Sequence, residues 1–236
     1  MALATVVAIA ACSVGGYFLF RDDGKGEPTA GGPSSSSPEA SKSKTPSKSP
    51  SPTSTPVDIS SRSTDPEPLT KNELFGDKTI TTRDQNTGKT RTYKVVKAQQ
   101  MGNCSNGVTG SLGGTLQSLG CNQVVRAAIN TSGGEYGATA GVFNLKNKGH
   151  SKKLDPLIKD DKGSFAGLEG PGASAQINKA SLALYWEERG HYMVYVIICR
   201  GDGEQIKLND TVATIASDLL IDHLATKLAE RTGTVN

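Results

Sequence analysis

Ala180-Ser-Leu-Ala-Leu-Tyr-Trp-Glu187 and Tyr192-Met-Val-Tyr-Val-Ile-Ile-Cys199 flank the short turn Glu188-Arg-Gly-His191. In the first run Ala180, Leu182, Leu184 and Trp186 alternate with Ser181, Ala183, Tyr185 and Glu187. In the second Tyr192, Val194, Val196 and Ile198 alternate with Met193, Tyr195, Ile197 and Cys199. Two β-branched and aromatic runs around a glycine-bearing turn predict paired antiparallel strands. Upstream, Lys78–Arg83 and Thr90–Ala98 flank the polar loop Asp84-Gln-Asn-Thr-Gly-Lys89, which predicts a hairpin. Gln123–Ile129 and Tyr136–Leu145 are strand-like and are joined by Asn130-Thr-Ser-Gly-Gly134.

Helical spacing occurs between these pairs. Val108, Leu112, Leu116 and Leu119 share one helix face, although Gly110, Gly113 and Gly114 weaken the helix and leave it dependent on packing. Asp155-Pro156 has the form of an N-cap followed by proline at the first helical position. Asp210 is placed to cap a last helix whose apolar stripe is Val212, Ile215, Ala216, Leu219, Leu220, Leu224 and Leu228. Strands arriving in adjacent pairs predict an α+β fold, an antiparallel sheet with helices packed on one face. A ferredoxin-like arrangement fits the middle of the order.

The 236 residues hold only 35% hydrophobic and 21% charged residues, and the core-forming residues are diluted unevenly. Gly24 to Pro68 carries nine of the eleven prolines and thirteen serines, with Val57 and Ile59 isolated among them. Such a stretch buries too little apolar surface to offset its ordering entropy and reads as a disordered linker. As a flexible coil its 45 residues span about 35–40 Å. Its Ser-Pro and Thr-Pro pairs (Thr45-Pro46, Ser49-Pro50, Ser51-Pro52, Thr55-Pro56) match phosphorylation or O-glycosylation sites as well as a plain spacer. The net charge of +3, spread along the chain, argues against nucleic acid as a partner.

Ahead of the linker, Ala2 to Phe20 contains no charged residue. Nineteen helical residues reach roughly 28 Å, close to the hydrocarbon thickness of a bilayer. Arg21, Asp22 and Asp23 end the run. The segment therefore reads as a membrane anchor. A cleaved leader would need a basic start, and this one begins Met1-Ala-Leu-Ala4; Ile9-Ala-Ala-Cys12 is similar to a lipobox, with Cys12 the residue that would be acylated. The expected organisation is a transmembrane anchor over 1–23, a linker over 24–68 and a folded domain over 69–236.

Arg21 and Lys25 follow the apolar run and nothing basic precedes it, so the charge rule read literally puts the domain in the cytoplasm. The cysteines argue for the outside. Cys104 and Cys121 bracket one helical excursion, and a bridge between them would clip its ends, provided the flanking residues fold back to bring the two Cα atoms within about 7 Å. Cys199, in an apolar strand, reads as a small buried hydrophobe, with Cys121–Cys199 as the alternative pairing. A stable bridge needs an oxidising compartment.

No catalytic constellation emerges. Gly88-Lys-Thr90 ends like a phosphate-binding loop, but Arg83 stands where the first glycine is needed. Gly170-Pro-Gly-Ala-Ser-Ala175 lacks the strand and helix that give a G-x-G-x-x-A string its meaning, and Gly172-Ala-Ser-Ala-Gln176 misses the last glycine of a nucleophile elbow. His150, His191 and His223 have no metal-ligand spacing, and Asp160-Asp161 and Glu187-Glu188 read as solvated pairs. No catalytic, cofactor or metal residue is assigned. One cluster, Lys146, Lys148, Lys152 and Lys153 around His150, is a candidate anion-binding patch for phosphate-rich polymer or lipid headgroups. It has no interleaved aromatic residues for stacking bases.

The order of anchor, Ser/Pro/Thr linker and a domain containing Gly120-Cys-Asn-Gln-Val-Val-Arg-Ala-Ala128 and Tyr136-Gly-Ala-Thr-Ala-Gly-Val142 resembles uncharacterised membrane-anchored proteins of actinobacteria such as Streptomyces. In plan alone it is similar to the extracellular sensor domains of actinobacterial serine/threonine kinases. The resemblance implies location and fold class, and carries no activity or site residues. The expected function is a non-enzymatic extracytoplasmic binding, sensor or accessory domain at the cell envelope, with an envelope polymer or another envelope protein as partner. The alternatives are an extracytoplasmic enzyme of unrecognised class and a cytoplasm-facing module regulated at its Ser/Thr-Pro sites.

Overall fold

The structure, a computed structural model, describes residues 56–85, 87–159, 163–179, 183–207 and 209–233. The expected anchor and most of the linker lie outside the described residues. Among the described residues no helix is long and apolar enough to cross a membrane. The elements are α1 (Lys71–Phe75), β1 (Thr79–Arg83), β2 (Thr90–Met101), α2 (Leu112–Ser118), β3 (Gln123–Thr131), β4 (Tyr136–Asn144), α3 (Lys148–Lys159), β5 (Ala183–Arg189), β6 (Tyr192–Arg200) and α4 (Thr211–Arg231).

The six strands form one curled sheet in the order β1-β2-β3-β4-β6-β5, and every neighbouring pair is antiparallel. The three predicted strand pairs are present, and a bulge between Val95 and Lys97 shifts the register of β2 on β3. β6 lies antiparallel to both β4 and β5, so β4 and β5 run parallel with β6 between them and α3 crossing over. That is the split β-α-β unit found in ferredoxin-like folds. The likeness stops there, because α4 follows β6 onto the face opposite α3.

Both faces of the central strands are buried. Tyr192, Val194, Val196 and Ile198 of β6 join Val125, Ala127 and Ile129 of β3 in a core with α4 and α1. Met193, Tyr195, Ile197 and Cys199 point the other way, into a second core with α2, α3, Phe143 and Phe165. The expectation of helices on one face is thus corrected: an uninterrupted apolar strand needs a cover on each side, as in sheets buried on both faces.

The covers are built differently. One is a single 21-residue helix, α4, pinned at both ends. At its start the Asp210 carboxylate accepts the N–H groups of Val212 and Ala213 and the hydroxyl of Tyr136. At its end Arg231 donates to Asp65 and to Glu73, each at 2.6 Å. The other cover is assembled from short pieces. The expected helix over Val108 to Leu119 is shorter than its periodicity predicts. A 3-10 helix occupies Cys104–Gly107, α2 starts at Leu112, and Val108 instead forms a β-bridge with Phe165. The irregular segment from Ser164 to Gln176 lies over the sheet, and polar side chains of the strands hold its backbone. The buried Arg126 guanidinium donates to the Ala166 carbonyl and to Gln99; the Thr139 hydroxyl accepts from Leu168 N–H; Asn130 clasps the Pro171 carbonyl and the Ser174 N–H. These bonds satisfy backbone groups that have no ladder partner. Gly141 leaves the space that the Tyr195 ring fills, since a Cβ there would lie 2.6 Å from it.

α3 starts eight residues earlier than Pro156 predicts. Asn147 accepts the His150 N–H as its cap, and Pro156 sits inside the helix on the exposed side. The backbone bond that this proline removes would have gone to Lys152 at i−4, itself exposed, so water can replace it. α1 is an element that apolar periodicity does not predict; Thr70 and Glu73 form its capping box.

Residues 57–69 run as a strap across one end of the sheet. The carbonyl of Ile59 accepts both the backbone N–H and a ring nitrogen of His191. Gly190 has φ +60°, and a Cβ on it would lie 2.1 Å from the same carbonyl. The side-chain amide of Gln123 donates to the Leu69 carbonyl and accepts its N–H. Asp65, 1% exposed, takes both Arg231 and the Tyr192 hydroxyl. The strap, part of the stretch read as linker, is therefore bonded into the domain from Val57 onward, where the Val57 N–H meets the Arg231 carbonyl.

Replacing Asp65 by alanine leaves Arg231 short of one partner and the buried Tyr192 hydroxyl without an acceptor. The expected loss is about 3 kcal/mol of unfolding free energy, with a smaller loss for Asp65→Asn. Urea denaturation of both variants measures it, and an Asp65→Ala protein with an unchanged midpoint would contradict the assigned role of the network.

Candidate functional site

The lysines singled out in the sequence gather at the end of the sheet that the strap crosses. Lys146 follows β4, and its carbonyl accepts the Arg62 N–H. Lys148 is the first residue of α3, and its N–H donates to the Ser60 carbonyl. Ser61 and Asn147 form a β-bridge between the strap and the start of the helix. Lys148, Lys152 and Lys153 lie on the outward face of α3, while Ser151, Leu154 and Ile158 face inward. Arg62, which sequence reasoning missed, joins them; its guanidinium donates to the Gly120 carbonyl. Only the fold could reveal this neighbour, because 84 positions separate Arg62 from Lys146 in the chain.

The rim is electrostatically one-sided. Five cations (Arg62 and the four lysines) surround the N-terminus of a helix whose first turn has no acid. The helix dipole adds positive partial charge there, so the lysines stand where cations are least favoured. Among the described residues Glu188 lies 3.8 Å from Lys152, and both side chains are more than a third exposed. An exposed pair at that distance contributes little and leaves the surplus in place. Burial pulls the Arg62 pKa down from its ordinary value, and the guanidinium stays charged. The arrangement suits binding of phosphate or carboxylate groups through several contacts.

The disulfide underlies this rim. Cys104 and Cys121 are bonded, with Cα atoms 6.2 Å apart, and Cys199 is free and buried. The pairing expected from the sequence is the one formed. Cys121 follows Gly120, whose carbonyl holds Arg62, so the clip fixes the end of α2 beneath the basic rim. Burial pushes the Cys199 thiol up to about 11, which keeps it protonated and unreactive at neutral pH.

The three histidines share a structural task. A ring nitrogen of His150 meets the Leu119 carbonyl, His191 meets Ile59 and His223 meets Leu74, so each fastens a different segment to the domain. His191 is fully buried, and its other ring nitrogen has no partner among the described residues. Burial lowers the pKa of His191 and of His223, opposed in each by the carbonyl bond. Among the described residues no three His, Cys, Asp or Glu side chains are grouped to hold a metal ion. Glu187 pairs with Arg189 and Glu188 with Lys152, so the adjacent acids do not act as a pair. Asp160 and Asp161 lie outside the described residues. Gly172–Gln176 is a 3-10 turn packed on Gly137, too short a helix for a dinucleotide site.

A separate groove of about 730 Å³ runs between β1 and α4, lined among others by Arg83, Arg189, Asp222, His223 and Thr226. Burial raises the carboxyl pKa of Asp218 and of Asp222, and the Asp222 charge raises that of Asp218 further. Charges of both signs line this groove, in contrast to the rim. No family model, curated protein or solved structure matches the chain.

The histidine geometry predicts acid sensitivity. The fold favours the neutral forms of His191 and His223, so the unfolded chain takes up protons first, near the ordinary value of about 6.5. Their contribution is complete above that value and falls as pH drops through it toward the lowered folded values. Urea midpoints between about pH 7.5 and about pH 5.5 should fall, and fall less in His191→Gln; equal slopes would contradict the assignment. Removing the disulfide as the Cys104→Ser/Cys121→Ser pair should lower stability by about 3 kcal/mol, read from the same curves.

Proposed function

We propose that this chain is a membrane-anchored binding module of a cell envelope, with its folded domain on the extracytoplasmic side. It acts by holding a ligand, an envelope polymer or another envelope protein, not by catalysis. The observation that carries this reading is the Cys104–Cys121 bridge, since structural disulfides persist in oxidising compartments. The uncharged run from Ala2 to Phe20 supports the anchor by its length, and the linker after it supports a domain held at a distance. The basic rim supports an anionic partner. On the same reading the chain belongs with the membrane-anchored envelope proteins of actinobacteria that its N-terminal half resembles, as a sensor or accessory factor.

Thiol labelling of intact cells tests the location. A membrane-impermeant maleimide should reach Cys104 and Cys121 only after treatment with an impermeant reductant, and without lysis. Modification of these two cysteines that needs lysis, with or without reductant, would place the domain inside and overturn the reading.

A further inference from the structure

The basic rim lies close to the point where the incoming chain joins the domain. The described chain begins at Pro56, and Val57 is already hydrogen-bonded to the end of α4. Three residues later the Ser60 carbonyl accepts the first N–H of α3. Three residues span at most roughly 11 Å. The stretch that leads back to Ala2–Phe20 therefore joins the domain within about that distance of the start of α3. The rim stands beside the one point of the domain that is tied to whatever holds the N-terminal segment.

We propose that the rim formed by Arg62, Lys146, Lys148, Lys152 and Lys153 docks the domain onto the anionic phospholipid headgroups of the membrane that carries the chain. This rests on the anchored reading above and names the partner of the rim. Two observations select a lipid surface over a soluble ligand. Lys148, Lys152 and Lys153 are exposed on the outward face of α3 and Lys146 is exposed just before it, with Arg62 half-buried beside them; an open face of this kind fits a plane of headgroups. Among the described residues their charge is offset only by the exposed Glu188, 3.8 Å from Lys152, and it is reinforced by the helix dipole, which fits repeated phosphates. The linker then sets a range of positions, and the rim selects the membrane-bound one. Each lysine near an anionic surface shifts that balance about five-fold.

Trp186 is the only tryptophan in the chain, and its indole N–H donates to Asp155 of α3, so it reports the position of this helix. Full-length protein is reconstituted into vesicles of phosphatidylcholine alone or with phosphatidylglycerol, each with a trace of dansyl-headgroup lipid. Energy transfer from Trp186 to dansyl should rise in the phosphatidylglycerol vesicles and return to the neutral-lipid level at high salt. The variant Lys146→Glu/Lys148→Glu/Lys152→Glu/Lys153→Glu should give the neutral-lipid level in both, and Lys152→Ala should lower the docked-to-free ratio about five-fold. Equal transfer in the two vesicle types for the unmodified protein would overturn the docking. So would lipid-independent transfer together with tight binding of soluble polyphosphate, which would assign the rim to a polymer. Failure of the protein to float with neutral vesicles would instead overturn the anchor, a result separate from the other two.

Discussion

The burial of β3, β4 and β6 on both faces is the constraint that organises this domain. Their side chains leave no face for water, so two covers must form over one sheet. α4 supplies the first in a single long element. The second has no helix of that length: the chain between β2 and β3 is rich in glycine, and α3, twelve residues long, is followed by the irregular segment from Ser164. Cover of that kind carries many backbone polar groups over an apolar surface, where each needs a partner. Hence the buried polar side chains of the strands. Arg126, Asn130 and Thr139 are the partners of a segment that cannot satisfy itself.

The same logic accounts for the bridge and the histidines. α2 is seven residues long and contains two glycines, too short and too flexible to hold its place by helix formation. The disulfide closes the excursion that contains it, and His150 of α3 holds the carbonyl of Leu119, the residue that follows α2. His191 and His223 perform the corresponding service for the strap and for α1. Each bond ties down a segment distant along the chain, and together with the oxidised cysteine pair they fasten the periphery.

The basic rim follows from these attachments. Its members come from the strap, from the loop after β4 and from α3, and they meet because the strap is drawn over the end of the sheet by Asp65, His191 and Gln123. A positive surplus at a helix N-terminus is an arrangement that the fold alone does not favour, and the proposed lipid partner gives it a role. The groove between β1 and α4, with charges of both signs in its lining, is of a different character.

Much was legible in the chain itself. The three strand pairs, the Asp210 cap and the long last helix all follow from local patterns, because turn chemistry, alternation and capping act over a few residues, whereas the cysteine spacing favoured Cys104–Cys121 and left Cys121–Cys199 open. The lysines were visible as a cluster for the same reason. The capping box Thr70–Glu73 and the unbroken apolar run Met193–Cys199 were also signals, and the second already implied cover on two faces. What only the tertiary structure decided was which face each helix takes, where α3 begins around Pro156, and that Arg62 stands beside Lys146. Those outcomes depend on contacts between residues tens of positions apart, and a pattern read along the chain carries no term for them.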